Sequence, residues 1–251
     1  MSNFIRIRNI KGILELTYNL PASSGVYLLT GANGTGKTTL LSALNRMGNN
    51  QAFAQNFSEE QIIPGQHSIE YTIDGQSVTY QRKNKRWTPI PKTQSKLINK
   101  YKYHQTYYLT ATGLRLYQQS TIKLDETKHD VPGDIICSLN KIFRTDRFSQ
   151  LKYIKVKDKR GRQKMLHRDN KLYVLKNLSG KWYAELSFSL GERMVLNALD
   201  YISDIPSKSM LLIDEIELAL HPIAQVLFYN YLEKKREEEI LSSLYLLILL
   251  L

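Results

Sequence analysis

The chain has 251 residues, 42% of them hydrophobic and 23% charged, which excludes a mini-protein, a disordered chain and a low-complexity chain and suits one α/β domain with or without an insertion. Its one cysteine, Cys137, cannot form an internal disulfide and has no Cys or His at metal-ligand spacing, so a reducing cytoplasm is expected. Net charge is +12 and uneven: residues 81–103 carry eight Lys or Arg and no Asp or Glu, residues 151–181 carry eleven against Asp158 and Asp169, and the remainder is net −5.

Phe4–Ile10 alternates arginine with apolar residues, reads as a strand and lacks the apolar run of a signal peptide. Leu14, Leu16, Tyr18 and Leu20 then recur with period two on one sheet face, and residues 25–30 form a short buried strand. Next comes Gly31-Ala-Asn33-Gly34-Thr35-Gly36-Lys37-Thr38, which matches the phosphate-loop pattern G-x-x-x-x-G-K-[ST] between a strand and a helix. Glycines let successive N–H groups curl inward as an anion nest, and the helix N-terminus adds partial positive charge. Residues 33–38 and Thr39 are therefore nucleotide-binding candidates, with Lys37 on the β/γ-phosphates and the Thr38 hydroxyl on Mg²⁺. The helical face continues through Leu40, Leu41, Leu44 and Met47.

Ile69, Tyr71 and Ile73, the pair Asp74-Gly75, then Val78 and Tyr80 predict an antiparallel hairpin with a type I′ turn. Pro89 and Pro91 interrupt regular structure, and Tyr107-Tyr-Leu-Thr110 resumes a strand. Ile135, Leu139, Ile142 and Phe143 fall at helical spacing, with Asp134 as the expected N-cap. A basic hairpin is predicted from residues 151–157, a turn at Arg160-Gly161 and residues 165–176. Ser187-Phe-Ser189-Leu-Gly191-Glu192 leads into an apolar helix through Met194, Ala198, Leu199 and Ile202, a second anion-binding end or a plain helix cap. Met210-Leu-Leu-Ile-Asp214-Glu215 is an apolar strand with two carboxylates at its tip; Asp214 suits the Mg²⁺ complex, partly through water, and Glu215 suits a general base toward the attacking water. Residues 244–251 are apolar but far short of the about 20 residues that span a bilayer, so no membrane protein is expected.

Three runs carry a family resemblance: the N-terminal hairpin into the Gly31 loop, Phe188-Ser-Leu-Gly-Glu192, and Leu212-Ile-Asp-Glu-Ile-Glu-Leu-Ala-Leu-His-Pro222. Together they resemble the soluble branch of the ABC-type ATPases, the RecF-, SMC- and overcoming-lysogenization-defect-type AAA ATP-binding proteins. The resemblance implies an α/β P-loop NTPase with a mixed sheet, an antiparallel β subdomain and a helical insertion. It spans one domain over 1–251, with a core at 1–50 and 182–251 and an insertion at 51–181. It implies ATP and Mg²⁺, and a nucleotide-sandwich homodimer in which Ser189, Gly191 and Glu192 act in trans on the γ-phosphate of the other copy. Glu217 and His221-Pro222 occupy the family's D-loop stretch.

Two features depart from that family. Its switch histidine has no counterpart, because no histidine follows His221; the expectation is a truncated or out-of-frame end, or a dispensable switch. Its Mg²⁺-sensing glutamine is not selected by spacing among Gln55, Gln61, Gln66 and Gln105, and Arg115 is a further phosphate candidate. About 150 residues between Lys37 and Ser189 leave no room for coiled-coil arms, and heptads are absent. The function implied is ATP binding and hydrolysis by a dimer, or a higher self-assembly, that regulates a partner effector such as a nuclease in anti-phage defence. The alternatives are a RecF-like repair ATPase that binds DNA through the basic stretches, which also suit an acidic protein, and a non-hydrolysing switch or remnant.

Overall fold

The computed structural model describes residues 3–101, 105–110, 127–155, 171–204, 209–237 and 245–249. The predicted turn at Arg160-Gly161 and Arg115 lie outside them. The chain forms two compact units, one of residues 1–108, 206–214 and 235–251 and another of 109–205 and 215–234. These units cut the chain elsewhere than the core and insertion expected from the resemblance.

The first unit holds an antiparallel sheet of five strands in the order β2-β1-β4-β5-β6, made of β1 (Phe4–Ile10), β2 (Ile13–Asn19), β4 (Ser68–Ile73), β5 (Gln76–Lys83) and β6 (Arg86–Ile90). Residues 68–90 thus belong with the N-terminal hairpin, because β4 pairs β1 with Ile5 opposite Tyr71 and Ile7 opposite Ile69. The β4–β5 turn is built as predicted, Asp74 and Gly75 both holding positive φ (49° and 79°). Period-two alternation sends Ile5, Ile7, Ile69, Tyr71 and Val78 into one core, against Leu40, Leu41 and Leu44 of α1 (Lys37–Asn45) and Phe53 of α2 (Ala52–Asn56).

A second sheet has the order β3-β13-β12-β7, from β3 (Gly25–Leu29), β7 (Gln105–Thr110), β12 (Ser209–Asp214) and β13 (Tyr245–Leu249). β13 runs parallel to both neighbours, with Leu247 opposite Tyr27 on one side and Leu212 on the other. The apolar tail is therefore the strand between the loop-bearing and acid-bearing strands. β12 is buried along its whole length, whereas β3 is only half-buried, with Leu28 46% exposed. The expectation of a buried β3 needs that correction: among the described residues it is an edge strand of its sheet, with β13 beside it.

The second unit carries a four-stranded antiparallel sheet, β11-β10-β9-β8, from β8 (His129–Asp130), β9 (Lys152–Lys155), β10 (Lys171–Lys176) and β11 (Trp182–Ala184). β9 and β10 are the arms of the predicted basic hairpin, paired Lys155 to Lys171. Its helices are α3 (Gly133–Phe143), α4 (Leu190–Asp204), α5 (Ile216–Ala219) and α6 (Pro222–Glu237). Pro132 takes the N-cap position of α3 and Asp134 lies in its first turn, so the expected Asp134 cap is corrected; the carboxylate instead faces the positive end of the helix dipole. Among the described residues no helix is long and apolar enough to cross a membrane.

Three phenols in the first unit couple folding to alkaline pH. Burial and the neighbouring Tyr27 push Tyr18 up to about 12, and burial raises Tyr80 and, most strongly, Tyr71, whose hydroxyl donates to the Ala43 carbonyl at 2.7 Å. The unfolded chain releases these protons near pH 10, so their stabilisation is complete below that pH and is lost as pH rises through the folded values. An alkaline titration is expected to show these phenolates ionising late and together with loss of circular dichroism; ionisation with free tyrosine at unchanged dichroism would refute it.

Candidate nucleotide-binding site

β3 delivers the chain into a loop whose three glycines all hold positive φ, Gly31 at 154°, Gly34 at 82° and Gly36 at 99°. Gly36 is the N-cap of α1, and a Cβ there would stand 2.4 Å from Ile13 Cδ1. Only glycine allows that backbone with the β1–β2 hairpin packed so close. No side chain caps α1, which leaves its first N–H groups for an anion. The Thr35 hydroxyl donates to the Ala32 carbonyl at 2.9 Å. Lys37 arches back so that Nζ donates to the carbonyls of Gly31 (2.6 Å) and Ala32 (2.9 Å). Asn33 and Gly34 are exposed at the tip, and Thr39 is buried in the helix below.

β12 brings Asp214 to the same place. The Thr38 hydroxyl donates to its Oδ1 at 3.4 Å and the Tyr108 hydroxyl to its Oδ2 at 2.8 Å, and Asp214 is only 2% exposed. An apolar strand can bury this acid because both oxygens are bonded. Lys11, at the β1–β2 turn, also feels the Asp214 charge; burial lowers its pKa and the carboxylate opposes that shift. The sequence reading missed Tyr108 and Lys11. Lys11-Gly12 between two alternating strands marks a hairpin tip just before the loop, whereas nothing local marks Tyr108.

The donor set fits the expected cation. Thr38 and Asp214 supply hard oxygens side by side, and no group of three or more His, Cys, Asp or Glu is gathered among the described residues. A cation here would complete its shell with phosphate oxygens and water, the habit of Mg²⁺. Of the glutamine candidates, Gln61 accepts from the Ser58 N–H and Gln55 from Asn49 Nδ2, while the Gln105 side chain lies outside the description.

In the second unit, Ser189 and Glu192 form a reciprocal capping box at the start of α4: the Glu192 N–H donates to Ser189 Oγ at 3.2 Å and the Ser189 N–H to Glu192 Oε2 at 2.8 Å. The Ser189 hydroxyl accepts in this cap and keeps its own proton to donate. Glu192 is committed, since Oε1 also accepts from Arg147, whose Nη2 donates to the Tyr183 hydroxyl at 2.9 Å. At Gly191 a Cβ would lie 2.3 Å from the Ala219 carbonyl oxygen, so glycine is what lets α4 abut α5. Glu215, the N-cap of α5, holds a left-handed backbone (φ 60°, ψ 32°), uncommon for a residue with a side chain. His221 accepts from the Ile223 N–H at 3.4 Å at the start of α6.

Sheet order, glycine loop and acidic strand tip define a P-loop ATP-binding protein of the AAA/ABC class with the fold of SMC ATPase heads. The Smc head bound to the C-winged helix domain of ScpA is similar at TM-score 0.52 and 12% identity, over 100% of this chain and 89% of that one. The Smc head with an extended coiled coil bound to the C-terminal domain of ScpA from Pyrococcus furiosus gives 0.53 and 11%, over 100% and 89%. No curated protein matches in sequence. A family model described as "AAA domain, putative AbiEii toxin, Type IV TA system" matches residues 72–243, and the chain belongs to that family. The match includes Ser189, Gly191, Glu192, Asp214 and Glu215 and begins after the glycine loop.

Proposed function

We propose that the protein is an ATPase that binds ATP with Mg²⁺ at residues 33–39 and Asp214 and works as a dimer, its nucleotide state regulating a partner effector such as a nuclease in defence. The observation that carries this reading is Thr38 beside Asp214 at the foot of an uncapped, glycine-led helix. Loop N–H groups bind the phosphate oxygens, and Lys37 exchanges the carbonyls of Gly31 and Ala32 for the β/γ-phosphates. Lys11 adds a second positive charge. Thr38 and Asp214 would hold Mg²⁺, which would supply charge neutralisation to the phosphates. Glu215 accepts the proton of the attacking water. Ser189 of a second copy donates its hydroxyl proton to the γ-phosphate, with Gly191 permitting close approach. The family's description supports the effector reading, since it names a toxin system.

Sizing with and without ATP tests this. ATP with Mg²⁺ is expected to convert the wild type to a dimer, and Ser189→Arg is expected to bind ATP yet remain monomeric. A wild type that stays monomeric when saturated with nucleotide would rule out the shared site.

DNA binding is the second reading. Lys83, Arg86 and Lys92 line a surface cavity of about 670 Å³ beside the edge strand β6. In the other basic stretch, among the described residues, Lys152 pairs with Asp130, and Lys171 with Asp200 and Asp204. DNA affinity that falls steeply with salt would favour it.

A further inference from the structure

We propose that Tyr108 is a positioning residue of the Mg²⁺ site, acting through Asp214; this rests on the reading of the glycine loop as an ATP site. Two observations within the first unit converge on it. First, β7 is fastened close to the end of α1. Thr106 and Tyr108, two apart, share a strand face. The Thr106 hydroxyl lies 3.1 Å from both the carbonyl and the Oδ1 of Asn45, the last residue of α1. A Cβ on Gly48 would stand 2.5 Å from the Thr106 nitrogen, so the strand approaches the turn after α1 as closely as glycine allows.

Second, the two oxygens of Asp214 are divided between different partners, Oδ1 with Thr38 and Oδ2 with Tyr108. That division sets the plane of the carboxylate and leaves Oδ1 on the Thr38 side, where a cation would lie. Hydrogen bonds that orient a metal-binding carboxylate in this way are worth about 10–100-fold in metal affinity. Tyr108 thus does from β7 what the resemblance assigned to an unplaced glutamine. The phenol suits the task because, while protonated, it donates one directed bond without adding charge.

The test measures ATP affinity of the full chain by calorimetry, with chelator present and across a Mg²⁺ titration. In the wild type Mg²⁺ is expected to tighten ATP binding. Tyr108→Phe is expected to keep the metal-free affinity and to need about 10–100-fold more Mg²⁺ for half of the tightening. Thr106→Val, which loosens β7 without touching Asp214, is expected to shift the Mg²⁺ requirement in the same direction. An unchanged Mg²⁺ requirement in both variants overturns the proposal. So does loss of metal-free ATP affinity, which marks a merely structural role. A wild type that binds ATP without any Mg²⁺ effect overturns the Tyr108 proposal alone, and a wild type that binds no ATP overturns the nucleotide reading and Tyr108 with it.

Discussion

Lys37→Ala is expected to weaken ATP binding by on the order of a hundredfold while leaving the fold intact. In the free protein Lys37 is 9% exposed and its ammonium donates to the carbonyls of Gly31 and Ala32. Nucleotide replaces those neutral acceptors with anionic phosphate oxygens, so the ammonium's bonds become ion pairs as well as hydrogen bonds, in a partly desolvated loop. A hundredfold loss corresponds to about 3 kcal/mol. The variant loses the gain, and its vacated carbonyls, beside an exposed loop, are met by water. Calorimetric titration with ATP and Mg²⁺ reads the change directly. Wild-type affinity in the variant would mean that the loop does not hold the phosphates.

Glu215→Gln is expected to cut phosphate release by about 10²–10⁴-fold with ATP affinity unchanged, the cost of removing a general base. Glutamine has the same shape, so the left-handed N-cap of α5 is kept and only the capacity to take a proton is lost. Comparing phosphate release with binding separates three outcomes. A large loss at constant affinity supports hydrolysis with Glu215 as the base. Equal rates well above background put the base elsewhere. Equal, near-zero rates make the protein a nucleotide-dependent switch without turnover.

The parts legible in the sequence are those written in a few consecutive residues. The loop at 31–38 and the Asp74-Gly75 turn declare themselves because a positive φ or a backbone nest demands particular residues in place. Ser189 to Glu192 was legible as either cap or anion site, and the reciprocal hydrogen bonds establish the cap while leaving a hydroxyl proton to give. What was not legible depends on strand order. An apolar run at 245–249 has no alternation to distinguish a sheet centre from a frayed end, yet it lies between β3 and β12. Tyr108 reaches an acid 106 residues away, and no spacing rule anticipates that pairing. Asp134 misled because an acid suits the first turn of a helix as well as its cap.

The position of β13 bears on how the protein is made. Among the described residues β3 and β12 are joined within their sheet by residues 245–249, so a chain still being made that already contains the glycine loop and Asp214 lacks the strand that sets them abreast. Those five residues must be made before the sheet that carries both strands is complete. Until then the loop and Asp214 lack the sheet register that β13 gives the strands carrying them.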